Sequence, residues 1–164
     1  MRFLNKYCLI LILALIPKMF SSCDSSEICR ENTETPLRVG FYNKDDFSAT
    51  AIVDSITVYG LGREDSLIYD NAKNVTRVEL PLNNAKDTTS FVLIFPQNQD
   101  TITIIYSRKI TLLSVGCGFT TFYTLSKAQS TKNEIFNSDI QNSNVINDLN
   151  EHIKVYITVP TPDK

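Results

Sequence analysis

The chain has 164 residues, 16 basic and 18 acidic, and a formal net charge of −2. That balance, with no run of basic residues, excludes a nucleic-acid surface and a hold on anionic membranes by side-chain charge. The length suits one domain with a proper core, and no repeat or low-complexity block asks for a second.

The first readable element is a signal segment. Arg2 and Lys6 precede an apolar run over residues 7–16, too short for the roughly 20 residues a spanning helix needs. Phe20-Ser21-Ser22-Cys23 follows and resembles a bacterial lipobox, in which small residues before a cysteine admit a lipoprotein signal peptidase. Residues 1–22 then read as a lipoprotein signal peptide and Cys23 as the lipidation site, carrying acyl chains such as palmitate. More than one chain gives stable anchoring where a single one is marginal. The rival is an ordinary secretory signal, with Pro17 and Lys18 before the cut and Cys23 left as a thiol or in a disulfide. Either reading places the domain outside the cytoplasm. Removing residues 1–22 takes away Arg2, Lys6 and Lys18 and no acid, which moves the net charge from −2 to about −5.

Residues 23–36 read as a lipidated anchor and tether. Cys8 leaves with the signal segment and Cys23 carries lipid, so Cys29 and Cys117 remain. In an oxidising compartment two such residues most simply form a disulfide. A metal or redox pair is the alternative, without CxxC spacing or a neighbouring histidine to favour it. Five residues, Asp24 to Ile28, separate Cys23 from Cys29, a leash of at most about 17 Å. Tied to Cys117, it holds the domain against the membrane; otherwise the leash runs on to Leu37.

From residue 37 to 164 the pattern has a period of two and predicts an all-β domain. Leu37, Val39 and Phe41 alternate with Arg38 and Gly40, and Ile56 and Val58 with Ser55, Thr57 and Tyr59. Further strands are expected over residues 66–69, 75–80, 89–95, 101–107 and 118–125. In the final strand of the chain, Ile153, Val155, Ile157 and Val159 face in and His152, Lys154, Tyr156 and Thr158 face out. Asn43-Lys44-Asp45-Asp46, Gly60-Leu61-Gly62, Asp70-Asn71, Asn83-Asn84 and Pro96-Gln97-Asn98 supply the breaks. None has room for a crossover helix, which predicts an antiparallel β-sandwich of eight or nine short strands, immunoglobulin-like in outline, with a closed barrel as competitor. Residues 108–115 read as either a bent continuation of the preceding strand or a second strand beyond a bulge. Residues 144–149 read as a loop.

Taken in order, several segments resemble small lipoproteins of Bacteroidota known only as a domain of unknown function. They are Ile28-Cys29, Phe41-Tyr42, Ile56-Thr57-Val58-Tyr59-Gly60 with Asp65-Ser66-Leu67, Leu80-Pro81-Leu82-Asn83, Tyr106-Ser107-Arg108-Lys109, Cys117-Gly118-Phe119 and Glu151-His152-Ile153-Lys154-Val155. The resemblance supports pairing Cys29 with Cys117 and implies no catalytic residue. Asp24-Ser25-Ser26-Glu27 is similar to the weak signals that sort some such lipoproteins to the cell surface, leaving periplasmic and surface faces of the outer membrane both open.

Few residues carry chemistry. His152, the single histidine, reads as exposed beside Lys154 rather than as a base. No G-x-S-x-G, H-E-x-x-H, EF-hand or phosphate loop occurs, so no catalytic residue, metal or cofactor is expected. Asp45-Asp46 and Glu64-Asp65 read as solvated turn acids, and the tyrosines as packing with wet hydroxyls. Tyr106, Arg108 and Lys109 form the candidate contact surface, where charge and an aromatic coincide. The expectation is a lipid-anchored, non-enzymatic envelope module with a protein partner in the envelope, and the rival is a surface protein that captures a ligand such as a glycan.

Overall fold

The alternation that begins at Leu37 becomes the first strand of a β-sandwich in a computed structural model, whose described residues are 28–158. The signal segment, Cys23 and Val159 lie outside them. In chain order the strands are β1 (Leu37–Asn43), β2 (Val53–Gly60), β3 (Leu67–Val75), β4 (Arg77–Leu80), β5 (Thr88–Ile94), β6 (Gln99–Ser114), β7 (Gly118–Ser130), β8 (Ile135–Ile140), β9 (Asn144–Val145) and β10 (Ile153–Ile157). Strands β4-β1-β10-β8 make one sheet and β3-β2-β5-β6-β7-β9 the other. No strand belongs to both, so the domain is a sandwich and not a closed barrel. Among the described residues no helix occurs.

All pairings are antiparallel except one. β1 and β10 lie parallel, with Val39 opposite Ile153 and Phe41 opposite Val155. A parallel neighbour needs a long connection, and the rest of the domain serves as it. Such a connection uses no crossover helix, so short turns between strands do not exclude a parallel pair.

The inward residues of the two sheets meet in one core. β1 and β10 supply Leu37, Val39, Phe41, Ile153, Val155 and Ile157 against Ile56, Val58, Phe91, Leu93, Ile102 and Ile104 of the larger sheet. Each such side chain stabilises by about 1.5–3 kcal/mol relative to exposure. Phe41 meets Phe95 edge-on across the gap, ring centroids 6.1 Å apart.

Four expectations are corrected. The Asp70-Asn71 break lies inside β3, because Asn71 takes a left-handed φ of 46° and the strand bulges there instead of turning. The strand expected over residues 75–80 is divided at Thr76, with Val75 ending β3 in one sheet and Arg77 opening β4 in the other. β8 was not foreseen; it is an edge strand paired only with β10, so Phe136, Asn137 and Asp139 stay exposed and its composition reads as loop. Residues 144–149 are a loop except at β9, whose Val145 is buried against the core.

The outward face of β10 differs from expectation too. His152 is fully buried and Tyr156 nearly so. Alternation sets them on the face away from the core, but neighbouring loops cover that face. Arg38, also buried, donates from Nε to Glu79 Oε1 at 2.9 Å and from its guanidinium to the Asp148 carbonyl, which pins the loop before β10 over the sheet. Tyr42 donates its hydroxyl to Glu151 Oε1 at 3.0 Å. A Cβ at Gly40 would meet Glu151 Oε2 at 2.0 Å, so the bare strand there makes room for the same loop. Phe47 lies edge-on to Tyr156 at 4.7 Å.

Beneath this cover the Arg38 backbone N–H donates to His152 Nδ1 at 3.0 Å, and the His152 N–H to the Arg38 carbonyl at 3.0 Å. His152 Nε2 is buried without a partner of normal hydrogen-bond geometry. Burial lowers the pKa of His152 from its usual 6.5, Asp148 opposing and Arg38 reinforcing. The histidine is thus neutral when folded, and its contribution to stability is complete above its unfolded pKa. As pH falls through about 6.5 the unfolded chain takes up the proton first, so stability declines by at most about 1.4 kcal/mol per pH unit until the depressed folded value is reached. Urea midpoints between pH 7.5 and 5 are expected to fall for the natural chain and to fall less steeply in His152→Gln. Parallel slopes would remove His152 as the cause.

Candidate functional site: a hairpin arm stapled to the amino-terminal segment

Strands β6 and β7 outgrow the sandwich. β5 pairs with β6 from Gln99 to Ile105 and stops at Thr88, where the Tyr106 N–H donates to the Asp87 carbonyl instead. The register of β6 against β7 shifts between Ile105 and Tyr106 and again between Leu112 and Ser114. Of the two readings for residues 108–115, one long strand with bulges holds. Beyond the first shift, residues 107–122 run as a two-stranded arm, spanning about 20 Å at roughly 3.4 Å per residue.

Tyr106 and Tyr123 fix the base. Their rings meet edge-on at 5.3 Å. Tyr106 is 2% exposed, and its hydroxyl accepts the Asn83 N–H and donates to the Asn83 carbonyl, each at 2.9 Å, with Thr89 Oγ1 2.5 Å away. It is therefore a core residue with a dry hydroxyl. Of the contact surface expected from Tyr106, Arg108 and Lys109, the first two share a strand face and line one groove, and Lys109 does not join them. Arg108 follows on the same strand face but is exposed, donating to Asp87 Oδ1 and to the Asn84 carbonyl, each at 2.7 Å. Lys109, one residue on, points to the other face, as strand alternation dictates. A shallow groove of about 550 Å³ lies beside Arg108 between Asn84, Ile110 and Thr121.

At the far end of the arm Cys117 is bonded to Cys29, 88 residues earlier in the chain. Gly118 holds φ at +71° as β7 begins, and the Cys117 N–H donates to Ser114 Oγ at 3.1 Å. From Cys29 the amino-terminal segment runs back along the arm. Thr120 Oγ1 donates to the Thr33 carbonyl at 2.9 Å, Thr35 Oγ1 to the Thr121 carbonyl at 3.0 Å, and Asn147 Nδ2 to the Asn32 carbonyl at 3.0 Å. Residues 29–36 are thereby fixed along the arm from tip to base.

The arm's surface is apolar where it leaves the sandwich. Ile110, Leu112 and Phe119 are 73%, 52% and 72% exposed, and Val115 in the turn is 87% exposed. Leu112 stands opposite Phe119, and Ile110 lies two residues along the same face, the face that carries Tyr106, Tyr123 and Leu125 inside the sandwich. The stripe is thus a core face continued beyond its core. Ile28, next to the staple, is 78% exposed.

The other end of the sandwich carries an open groove of about 400 Å³, with Ile52, Asp54, Phe95, Asn98 and Glu134 on its walls. Asn98 Nδ2 donates to Glu134 Oε2 there at 3.1 Å. Asp100 lies below this end, 1% exposed, and accepts from the Asn133, Glu134 and Ile135 N–H groups at 3.0, 2.6 and 2.9 Å and from Thr131 Oγ1. Burial raises its pKa, but these four donors outweigh it and leave the carboxylate below its usual value. Its work is to hold the β7–β8 turn. In the sequence the only signal of Asp100 is an acid one residue before an alternating run. Among the described residues no group of three or more His, Cys, Asp or Glu is placed to hold a metal ion. Asp45-Asp46 and Glu64-Asp65 lie exposed in turns.

The staple closes a loop of 88 residues that contains β1 to β6. Chain entropy removed from the unfolded state by such a loop is worth about 4–5 kcal/mol at most. Cys117→Ser is expected to lose most of that in urea denaturation and to speed amide exchange at residues 30–36. Unchanged exchange there would assign the position of the segment to its hydrogen bonds alone.

No curated protein matches the chain, and no solved structure does either. A family model of unknown function matches residues 55–157, more than half of the chain. The match takes in Cys117-Gly118-Phe119 and the whole arm and leaves Ile28-Cys29 and Phe41-Tyr42 outside. On that match the chain belongs to the family of unknown function DUF6452.

Proposed function

We propose that this protein is a lipid-anchored, non-enzymatic interaction module of the cell envelope, acylated at Cys23 once residues 1–22 are removed. The lipobox-like Phe20-Ser21-Ser22-Cys23 and the resemblance to small Bacteroidota lipoproteins support the anchor. The observation that carries the reading is the bond from Cys29 to Cys117. It makes the arm's tip, and not the sandwich, the point where a lipidated segment joins the folded domain. Only Asp24 to Ile28 intervene, so a domain attached in this way works on neighbours in or beside the membrane.

The chemistry of the described residues fits binding better than catalysis. The single histidine is sealed beneath a loop with one nitrogen engaged, and the deeply buried carboxylate of Asp100 is occupied by four donors. The groove beside Phe95 favours a second reading, capture of a glycan or other small ligand, because Asp54, Asn98 and Glu134 offer polar groups around an aromatic edge. The tyrosines do not line that groove. Tyr106 and Tyr123 are in the core, and Tyr42 and Tyr156 are on the smaller sheet.

The natural chain is expected in the membrane fraction, labelled by an alkynyl fatty acid fed to the cells. Cys23→Ala should be soluble and unlabelled, and continued membrane association of that variant would refute the anchor. Protease on intact cells then assigns the face. Digestion shifts weight to ligand capture at the surface, and protection until lysis to a periplasmic protein partner.

A further inference from the structure

We infer that the arm's tip is itself a membrane-contacting element, seating Leu112, Val115 and Phe119 in the headgroup layer of the bilayer to which Cys23 is attached. The inference rests on the lipid-anchor reading and goes beyond it, because an acylated leash alone would leave the tip in water.

Three observations converge on this end of the molecule. The first is the stripe: Ile110, Leu112, Val115 and Phe119 are each more than half exposed, and Leu112 and Phe119 stand side by side across the hairpin. A clustered apolar surface of this kind marks a place that something covers. The second is where the unlinked chain leaves the fold. Cys29 is bonded at the tip, and the five residues Asp24 to Ile28 between it and Cys23 reach at most about 17 Å at 3.3–3.6 Å per residue. Ile28, beside the staple, adds a further exposed apolar group on that path. Anchoring makes tip insertion an intramolecular step, for which weak affinity suffices.

The third is charge. Residues 101–133, which include the whole arm, hold Arg108, Lys109, Lys127 and Lys132 and not one acid, in a chain that is acidic overall. An acid-free arm meets no repulsion from an anionic headgroup layer. The leash carries Asp24 and Glu27, and Glu31 and Glu34 lie in the segment along the arm, so the attraction is apolar more than electrostatic.

The backbone limits the depth. A two-stranded hairpin has free edge groups that hydrocarbon cannot satisfy. The Cys117 N–H is satisfied by Ser114 within the turn, but side chains, not strands, are what the arm can lend to the interface.

The chain has no tryptophan, so one introduced tryptophan reports alone. The full chain carrying Phe119→Trp, isolated in lipidated form, is reconstituted into phosphatidylethanolamine/phosphatidylglycerol vesicles with and without brominated acyl chains. Val115→Trp serves as a second tip reporter, and Phe136→Trp, exposed on β8 of the smaller sheet, as the control. The expected result is co-flotation of all three with vesicles, a blue-shifted emission at positions 119 and 115 that bromine quenches, and a water-like, unquenched emission at 136. Flotation with unquenched, water-like emission at both tip positions overturns the inference and leaves the anchor standing. A blue shift without quenching means the tip is buried against another copy of the chain, which also overturns it. Failure to float removes the anchor and this inference together.

Discussion

The covalent bond between Cys29 and Cys117 is the constraint on which the arrangement of this molecule turns. With or without that bond, β6 and β7 beyond Ile105 have no third neighbour on the β5 side, and two-stranded hairpins are marginal in water. With it, the amino-terminal segment lies along the arm, and Thr33 and Thr35 bond to its β7 side. The staple supports the arm, and the arm in turn gives the staple a defined position relative to the core through Tyr106 and Tyr123.

Buried polar groups secure the remaining irregular segments. An ionised side chain taken from water is costly unless its partners are complete, and Asp100 meets that condition with four donors from one turn. Arg38 does so with Glu79 on a neighbouring strand and the Asp148 carbonyl in the loop before β10. In both cases one charged residue on a strand holds a loop that has little apolar surface of its own. His152 is less complete, since Nε2 lacks a well-placed acceptor. It is the one member of the set whose neutrality depends on pH.

The sandwich was legible because its core strands alternate cleanly, and burial of Leu37, Val39 and Phe41 or of Ile153, Val155 and Ile157 follows directly from period two. The disulfide was legible on the reading that Cys8 is removed and Cys23 acylated, which leaves Cys29 and Cys117 as a pair. Other features depend on contacts that periodicity does not encode. His152 and Tyr156 do occupy the outward face, but nothing in the alternation announces that Arg38 and Phe47 bring loops over them. Asn71 shows the same limit, since an asparagine that tolerates positive φ serves a bulge as readily as a turn. At the candidate site, period two does not show that Tyr106 is buried while Arg108 on the same face is exposed. Strand alternation alone separates Arg108 from Lys109, and the bulge that begins the arm turns Tyr106 into its foundation.

That foundation decides how any membrane attachment would be transmitted. A flexible leash fixes only a maximum distance, whereas an arm fastened at Tyr106 and stapled at Cys117 also fixes a direction. β6 is one strand from the tip to the turn beside Phe95, 16 residues, so it separates the staple from the groove at the other end by up to about 50 Å. On the lipid-anchored reading this geometry points the groove away from the bilayer and leaves the loops around Asn84 and Asp87, at the arm's base, at an intermediate height. Binding at the groove would then meet partners out in the envelope, and binding at the arm's base would meet those that project little above the lipid. Length and stiffness of the arm, more than the sandwich it carries, would select between them.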